Sequence, residues 1–373
     1  MTKKIQMIMF FVLLFYINIG AKEVFNFFHT FDFVEIGVFF LSLLSITILF
    51  ANYNKQYKSL YVAALFFYTF LIFSSFFSST IAQGLQKAYM GLLLPLTLFS
   101  VFSKREWRMD DVLKYIIVAV VIIDVIAIFF KIRHGFWNRS VSFGLLGPIT
   151  TGWLNGMAFF ASIFSPRKGF NTILLGAFFF VVILWTGSKG PLVALLIVFA
   201  CFFSKIFKGT AYSKIFILLL VFSVSFILFT YSEEVRSVNM MMRLVESPDE
   251  YIEGAGSGSF GARLDYYSYS IKLFQESPLL GVGFSEWANN TFGDRYPHNI
   301  ILELISETGL LGMFFFLILI LKFKYNNPLS IIGFFALVTL LFSGDFSYFR
   351  YAFYPLLIGF YFNLKQSKKS TFR

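Results

Sequence analysis

The chain has 373 residues, 58% hydrophobic and 14% charged, with 55 Phe, 19 Tyr and a formal net charge of +11. Its apolar residues come in long blocks rather than in polar alternation, which excludes an ordinary soluble domain and describes a polytopic membrane protein. The single cysteine, Cys201 in "LVALLIVFACFF", excludes an intramolecular disulfide and a thiolate metal cluster, and lysines between spans account for most of a charge that would otherwise suggest nucleic acid.

The first segment, "MTKKIQMIMFFVLLFYINIG", begins like a signal peptide but lacks a small-residue cleavage site, so it reads as an uncleaved first span. Stretches long enough to cross a ~30 Å hydrocarbon core recur at 5–20, 33–50, 60–79, 85–102, 112–130, 141–164, 170–186, 191–208, 214–231, 300–321, 328–344 and 346–364. The expected fold is therefore an all-α polytopic bundle of about twelve transmembrane helices in a single integral domain spanning residues 1–373. Asp124, inside "VVIIDVIAIFF", must be paired or face a cavity, because a carboxylate is costly at membrane depth.

An even number of spans puts both termini on one side. Lys3, Lys4, Lys55, Lys58, Lys104, Arg105, Arg108, Lys114, Arg167, Lys168, Lys205, Lys208, Lys214, Lys322, Lys324 and the basic tail at 365–373 all fall on that side, which the positive-inside rule makes cytoplasmic. Against that rule, Arg133, Arg139, Arg236, Arg243, Arg263, Arg295 and Arg350 fall outside. Arginine grips phosphate oxygens with a planar fork, so this distribution suggests an anionic, lipid-linked ligand; pairing with outer carboxylates such as Glu233, Glu234 or Asp249 is the plainer account.

One outer connection is long, about 232–297. Its first part is acidic, "GAGSGS" at 254–259 forms a flexible joint, and its second part predicts an amphipathic helix with Leu264, Tyr267, Ile271 and Phe274 on one face, stopped by Pro278, Gly281 and Gly283. The next helix, predicted from His298 to Lys322, opens after Pro297 and would run about 37 Å at ~1.5 Å per residue. Asn299, Glu303, Ser306 and Glu307 share one of its faces, a polar stripe that should meet a cavity or other helices, while Gly309 and Gly312 allow close packing below. His298 is the one histidine beside the long loop, and imidazole accepts a proton at neutral pH; His29 and His134 read as surface residues. No metal-ligand spacing, phosphate-binding glycine loop or internal repeat is evident.

The run His298-Asn299, nine residues, Gly309, two residues, Gly312 resembles the signature of the bacterial O-antigen ligase and O-antigen polymerase superfamily. "GARLDYYSYSIKLFQESPLLGVG" resembles that family's arginine, amphipathic helix and Pro-Leu-Leu-Gly-x-Gly segment, and "LWTGSKGPLVALL" its Thr-x-Ser-Arg-Gly element, with Lys189 where many relatives have arginine. The likeness covers roughly 140–350.

The resemblance implies a GT-C-like architecture and a metal-independent membrane glycosyltransferase without a cofactor. It would move a glycan from undecaprenyl diphosphate to an acceptor hydroxyl at the outer face of the bacterial plasma membrane. The favoured expectation is a polymerase of O-antigen or capsule-type repeat units. A ligase acting on lipid A-core or another acceptor is the alternative, and a transporter or flippase of lipid-linked glycan is the alternative from another class. On this reading Arg263, Lys189, Arg350 and Arg139 bind the diphosphate, stabilising charge that grows on the leaving group. His298 and Glu307 join Arg263 as catalytic residues, and Asn299 and Glu303 orient the acceptor or the base. Expected partners are the lipid-linked donor, an acceptor glycan or lipid A-core, membrane lipids, a chain-length regulator and a flippase, with no nucleic acid.

Overall fold

The computed structural model describes residues 10–12, 14, 16–20, 34–136, 143, 146–165, 170–206, 261–289 and 296–371. Among them the structure is helical apart from one isolated bridge, Phe143 to Leu146. The helices are α1 (Val34–Ala51), α2 (Lys58–Ser75), α3 (Ile81–Ala88), α4 (Leu94–Phe102), α5 (Met109–His134), α6 (Pro148–Ile163), α7 (Phe170–Trp185), α8 (Lys189–Ile206), α9 (Gly261–Glu276), α10 (Ile300–Ile320), α11 (Pro328–Thr339) and α12 (Phe349–Thr371). Among the described residues, five stretches are long and apolar enough to cross a membrane: Lys55–Ser75, Ile81–Phe102, Met109–His134, Lys189–Ile206 and Ile300–Ile320. The expected span at 214–231, the acidic first part of the long loop and the glycine-serine joint lie outside the described residues.

Local chemistry explains the helix ends. α5 carries Asp110 and Asp111 in its first turn and Lys131, Arg133 and His134 in its last, each sign set against the helix dipole. α11 is capped by Asn327, whose side chain accepts the Ser330 N–H, and Pro328 fills the first helical position. α3 runs into α4 through a π-turn at Tyr89–Leu93, so Ile81–Phe102 behaves as one spanning helix.

α6, α11 and α12 form the centre of the bundle, with α5, α7 and α8 packed around α6 and α11, and α2 and α9 against α10. Trp153, Met157 and Phe160 of α6 and Ile332 and Phe335 of α11 are buried in this core, whereas Phe39, Phe66, Phe129 and Leu321 point outward, as apolar groups facing lipid do. Asp124 finds its partner in α6: Asn155 Nδ2 donates to its Oδ1 at 2.8 Å, with both residues fully buried. Cys201 and His134 are exposed, and His29 lies outside the described residues.

Three expectations change. The helix predicted over 328–344 stops at Thr339, because Gly344 adopts φ +104° and passes against Trp153, turning 340–345 into a loop. α9 buries Tyr266, Ser270 and Leu273 rather than the predicted stripe, and Ile271 is half exposed. The cause is polar: the Ser270 hydroxyl accepts the Trp287 Nε1–H at 2.9 Å, so a serine holds a core position that apolar periodicity cannot reveal. Third, the 37 Å helix is neither continuous nor started at His298.

Candidate functional site

α10 begins at Ile300, with Asn299 as its cap: Asn299 Oδ1 accepts the N–H groups of Ile301 (2.9 Å) and Leu302 (3.2 Å), and Nδ2 donates to the Leu341 carbonyl at 3.2 Å. Pro297 therefore precedes the helix instead of opening it. The helix then breaks at Gly309, which takes φ +63° and ψ −164°. The segment after α9, "SPLLGVG", occupies the break. Leu310 N–H donates to Pro278 O and Leu311 N–H to Leu279 O on one side, and Val282 N–H to Ser306 O and Gly283 N–H to Glu307 O on the other. Glycine is required for this contact as well as for the turn, since a Cβ on Gly281 would lie 2.2 Å from the Glu307 carbonyl carbon and one on Gly309 2.5 Å from that of Leu279.

Beyond Asn299, which is half-buried, the polar stripe of α10 lies inside the protein. Glu303 and Glu307 are 0% exposed, and opposite them on α3 stands Lys87 at 5%, with Nζ 2.6 Å from Glu303 Oε1 and 4.0 Å from Glu307 Oε1. Glu307 Oε1 also accepts the backbone N–H of Trp287 at 3.1 Å. The second oxygens, Glu303 Oε2 and Glu307 Oε2, have no hydrogen-bond partner among the described residues. The stripe thus faces another helix, one of the two outcomes foreseen, and the carboxylates meet a lysine from a distant part of the chain. Lys87 is a residue that sequence reasoning missed, although an ionisable side chain inside "IAQGLQKAYMGLLLPLTLF" is itself a signal.

His298 sits immediately before the cap, with φ +58°, a left-handed backbone that is uncommon outside glycine. Its ring lies between Tyr266, stacked at 6.0 Å and 21°, and Tyr296, tilted at 4.5 Å, and its Nδ1 is 3.4 Å from the Ser343 hydroxyl. Ser343 belongs to the loop that replaced the end of the predicted helix, so no sequence pattern pointed to it.

Arg263 is half-buried near the start of α9, one turn before Tyr266, so that helix brings it to the same region as His298. Lys189 is exposed at the first position of α8, and the adjoining Gly190 lies against Phe342, next to Ser343. The Lys189 and His298 elements thus both meet the 340–345 loop, and α9 meets His298 through Tyr266. Arg350 is different. It is buried, with Nε donating to Ile17 O (2.9 Å), Nη1 to Ser347 O (2.6 Å) and Nη2 to the Tyr351 hydroxyl (3.2 Å), and it lies over the Tyr348 and Tyr351 rings. Three donors of its fork are committed to the protein, so a diphosphate there would have to displace them. Arg139 lies outside the described residues.

Glu286, just before Trp287, fastens the loop to the α2–α3 turn. Its Oε2 accepts the Ser79 N–H (2.6 Å), the Ser79 hydroxyl (2.9 Å) and the Ser78 hydroxyl (3.0 Å). Partial burial pushes this carboxyl up, but the Ser79 N–H and hydroxyl, with Asn289 and Ser78, outweigh it and hold its pKa below the ordinary glutamate value.

Apolar spanning-length helices, one of them broken around an inserted loop with ionisable groups buried beside it, define a membrane protein with a polar site at one end of its bundle. Residues 174–317 match the family model described as O-antigen ligase, a segment that contains Lys189, Arg263, His298, Glu303 and Glu307. The match covers less than half of the 373 residues and supports a relation of that segment to the O-antigen ligase and polymerase superfamily, a family of glycan-transferring membrane enzymes. No curated protein is significantly similar to the chain.

Proposed function

We propose that this protein is a polymerase of O-antigen or capsule-type polysaccharide, joining undecaprenyl-diphosphate-linked repeat units at the outer face of the bacterial inner membrane. About twelve spans, both termini cytoplasmic, complete the reading. The observation that carries it is the packing of Tyr266, one turn after Arg263, on the ring of His298. In the reaction, the acceptor hydroxyl oxygen bonds to the anomeric carbon, the bond from that carbon to the diphosphate oxygen breaks, and undecaprenyl diphosphate leaves. The hydroxyl proton passes to the imidazole nitrogen of His298 not turned to Ser343. Arg263, with Lys189 beside the 340–345 loop, offsets charge growing on the diphosphate, where fixed cations favour the transition state over the ground state. Energy comes from the sugar diphosphate bond, so neither a nucleotide nor a metal is required.

The test is transfer by purified protein in lipid vesicles supplied with lipid-linked repeat units. His298→Ala and Arg263→Ala should each abolish polymer while inserting normally; normal polymer length in both would end the enzymatic reading. The family description favours a second reading, a ligase that moves finished polymer to lipid A-core or another acceptor. A deletion strain separates them: carrier bearing single repeat units supports the polymerase, and carrier bearing long polymer supports the ligase.

A further inference from the structure

Lys87 is buried in a helix of membrane-spanning length, far in sequence from every motif described above, and such a charge is held there at a cost. It enters the bundle about 9 Å below the start of α3 at ~1.5 Å per residue, level with the first turns of α10. Its ammonium touches Glu303 and reaches Glu307, which lie one turn apart on the half of α10 that precedes the Gly309 break. That half-helix carries His298 at its head. Its last carbonyls, Ser306 and Glu307, hold the inserted loop, and the Glu307 carboxylate holds the Trp287 N–H. Trp287 in turn packs on Tyr266 and Tyr269 of α9, the helix that carries Arg263. Hydrogen bonds hold the two ends of this half-helix, at Asn299 and Ile300 and at Ser306 and Glu307, and between them Lys87 is, among the described residues, the buried cation that faces both carboxylates and fixes the rotation of the polar face.

We propose that Lys87 is a positioning residue of the transfer site. By holding Glu303 and Glu307 it sets the register of the first half of α10, and with it the separation of His298 from the Arg263 helix. The proposal rests on the functional reading above, but its test includes a measurement that does not depend on it.

That measurement is disulfide cross-linking of Val282→Cys with Ser306→Cys in a Cys201→Ser background, since the Val282 N–H donates to the Ser306 carbonyl at 3.2 Å and Ser306 lies in the half of α10 that precedes the break. The full-length protein in lipid nanodiscs should cross-link rapidly. Lys87→Met should slow cross-linking and lower the turnover of glycan transfer on the order of a hundredfold, the effect of a misplacement of about 1 Å, with the donor KM changed only a few-fold. Lys87→Arg, which keeps the cation, should restore both. Should Lys87→Met not yield folded protein, Lys87→Met/Glu303→Gln removes the cation and the carboxylate it touches; it should be stable in detergent yet remain slow in cross-linking and transfer.

Wild-type cross-linking and turnover in a folded Lys87→Met, or in the double variant, would overturn the proposal. So would loss of transfer in Lys87→Arg with cross-linking intact, which would make Lys87 a direct substrate contact. Cross-linking that responds as expected in a protein that transfers no glycan in any form would end the functional reading and support the register role alone.

Discussion

The backbone N–H of Leu310 donates to the carbonyl oxygen of Pro278 at 2.9 Å, across the break that Gly309 makes in α10. A loop segment and a membrane helix thereby complete each other's hydrogen bonds. Unsatisfied backbone groups cost several kcal/mol each in hydrocarbon, so a broken helix of this kind is tolerable only while the break is filled. The same contact ties the loop that carries Arg263 and the helix headed by His298 into one unit.

Gly281→Ala and Gly309→Ala should therefore be among the most damaging small substitutions. Each places a Cβ within about 2.5 Å of backbone atoms of the opposing segment, at a positive φ that alanine disfavours. A loss of at least about 2 kcal/mol is expected from strain and overpacking together. Thermal unfolding in detergent should show both far below the wild type, while Gly147→Ala, at a position with open space around it, should be close to neutral. Equal melting of all three would mean that the loop does not occupy the break.

Ser343→Ala removes the hydroxyl 3.4 Å from His298 Nδ1. A base works best when a third group fixes its ring and tautomer, and the Ser343 hydroxyl faces His298 Nδ1. Turnover should fall about tenfold with little change in donor KM, less than the ~10²–10⁴-fold that a positioned acid or base supplies, because the base itself remains. Steady-state transfer assays check this; unchanged turnover would show that Ser343 does not orient His298.

Glu286 gives a pH dependence of known sign. Its folded pKa lies below the ordinary glutamate value, so its contribution is fully present above the unfolded pKa, near ~4.3, and is lost as pH falls through the lower folded value. Glu286→Gln should be less stable than the wild type by about 1 kcal/mol at neutral pH, a figure reduced for partial exposure. The gap should close as the pH drops below about 4.3. Melting curves of both proteins from pH 7 to pH 3.5 test this, and a gap that persists unchanged in acid would remove Glu286 as its source.

Much of this organisation could be read in the residues. Hydropathy located α1, α2, α5, α7 and α8 closely, because length and apolarity are read directly from sequence. The polar stripe of α10 was visible from its spacing. Its partner was not, since Lys87 lies more than 200 positions away and nothing local records which helix faces which. The break at Gly309 was hidden for a related reason: the glycine suits close packing and a positive φ equally, and only the inserted loop decides between them. Ser343 and Ser270 escaped because each is placed by a tertiary hydrogen bond rather than by a period.

Asn299 separates a structural role from an expected one. Its side-chain oxygen caps α10 through Ile301 and Leu302, and its amide nitrogen is given to Leu341, so the groups foreseen for the acceptor are already engaged by the protein. Asn299→Ala should cost about 1 kcal/mol, the usual loss of a cap. Asn299→Asp keeps the capping oxygen and places a negative charge at the helix N-terminus, where the dipole favours it, but cannot donate to Leu341. It should recover most of the stability. If the cap is the whole function, transfer measured in vesicles will follow stability, low in the alanine variant and near normal in the aspartate variant. Transfer that stays lost in an aspartate variant of normal melting temperature would return to Asn299 a direct role on the acceptor sugar.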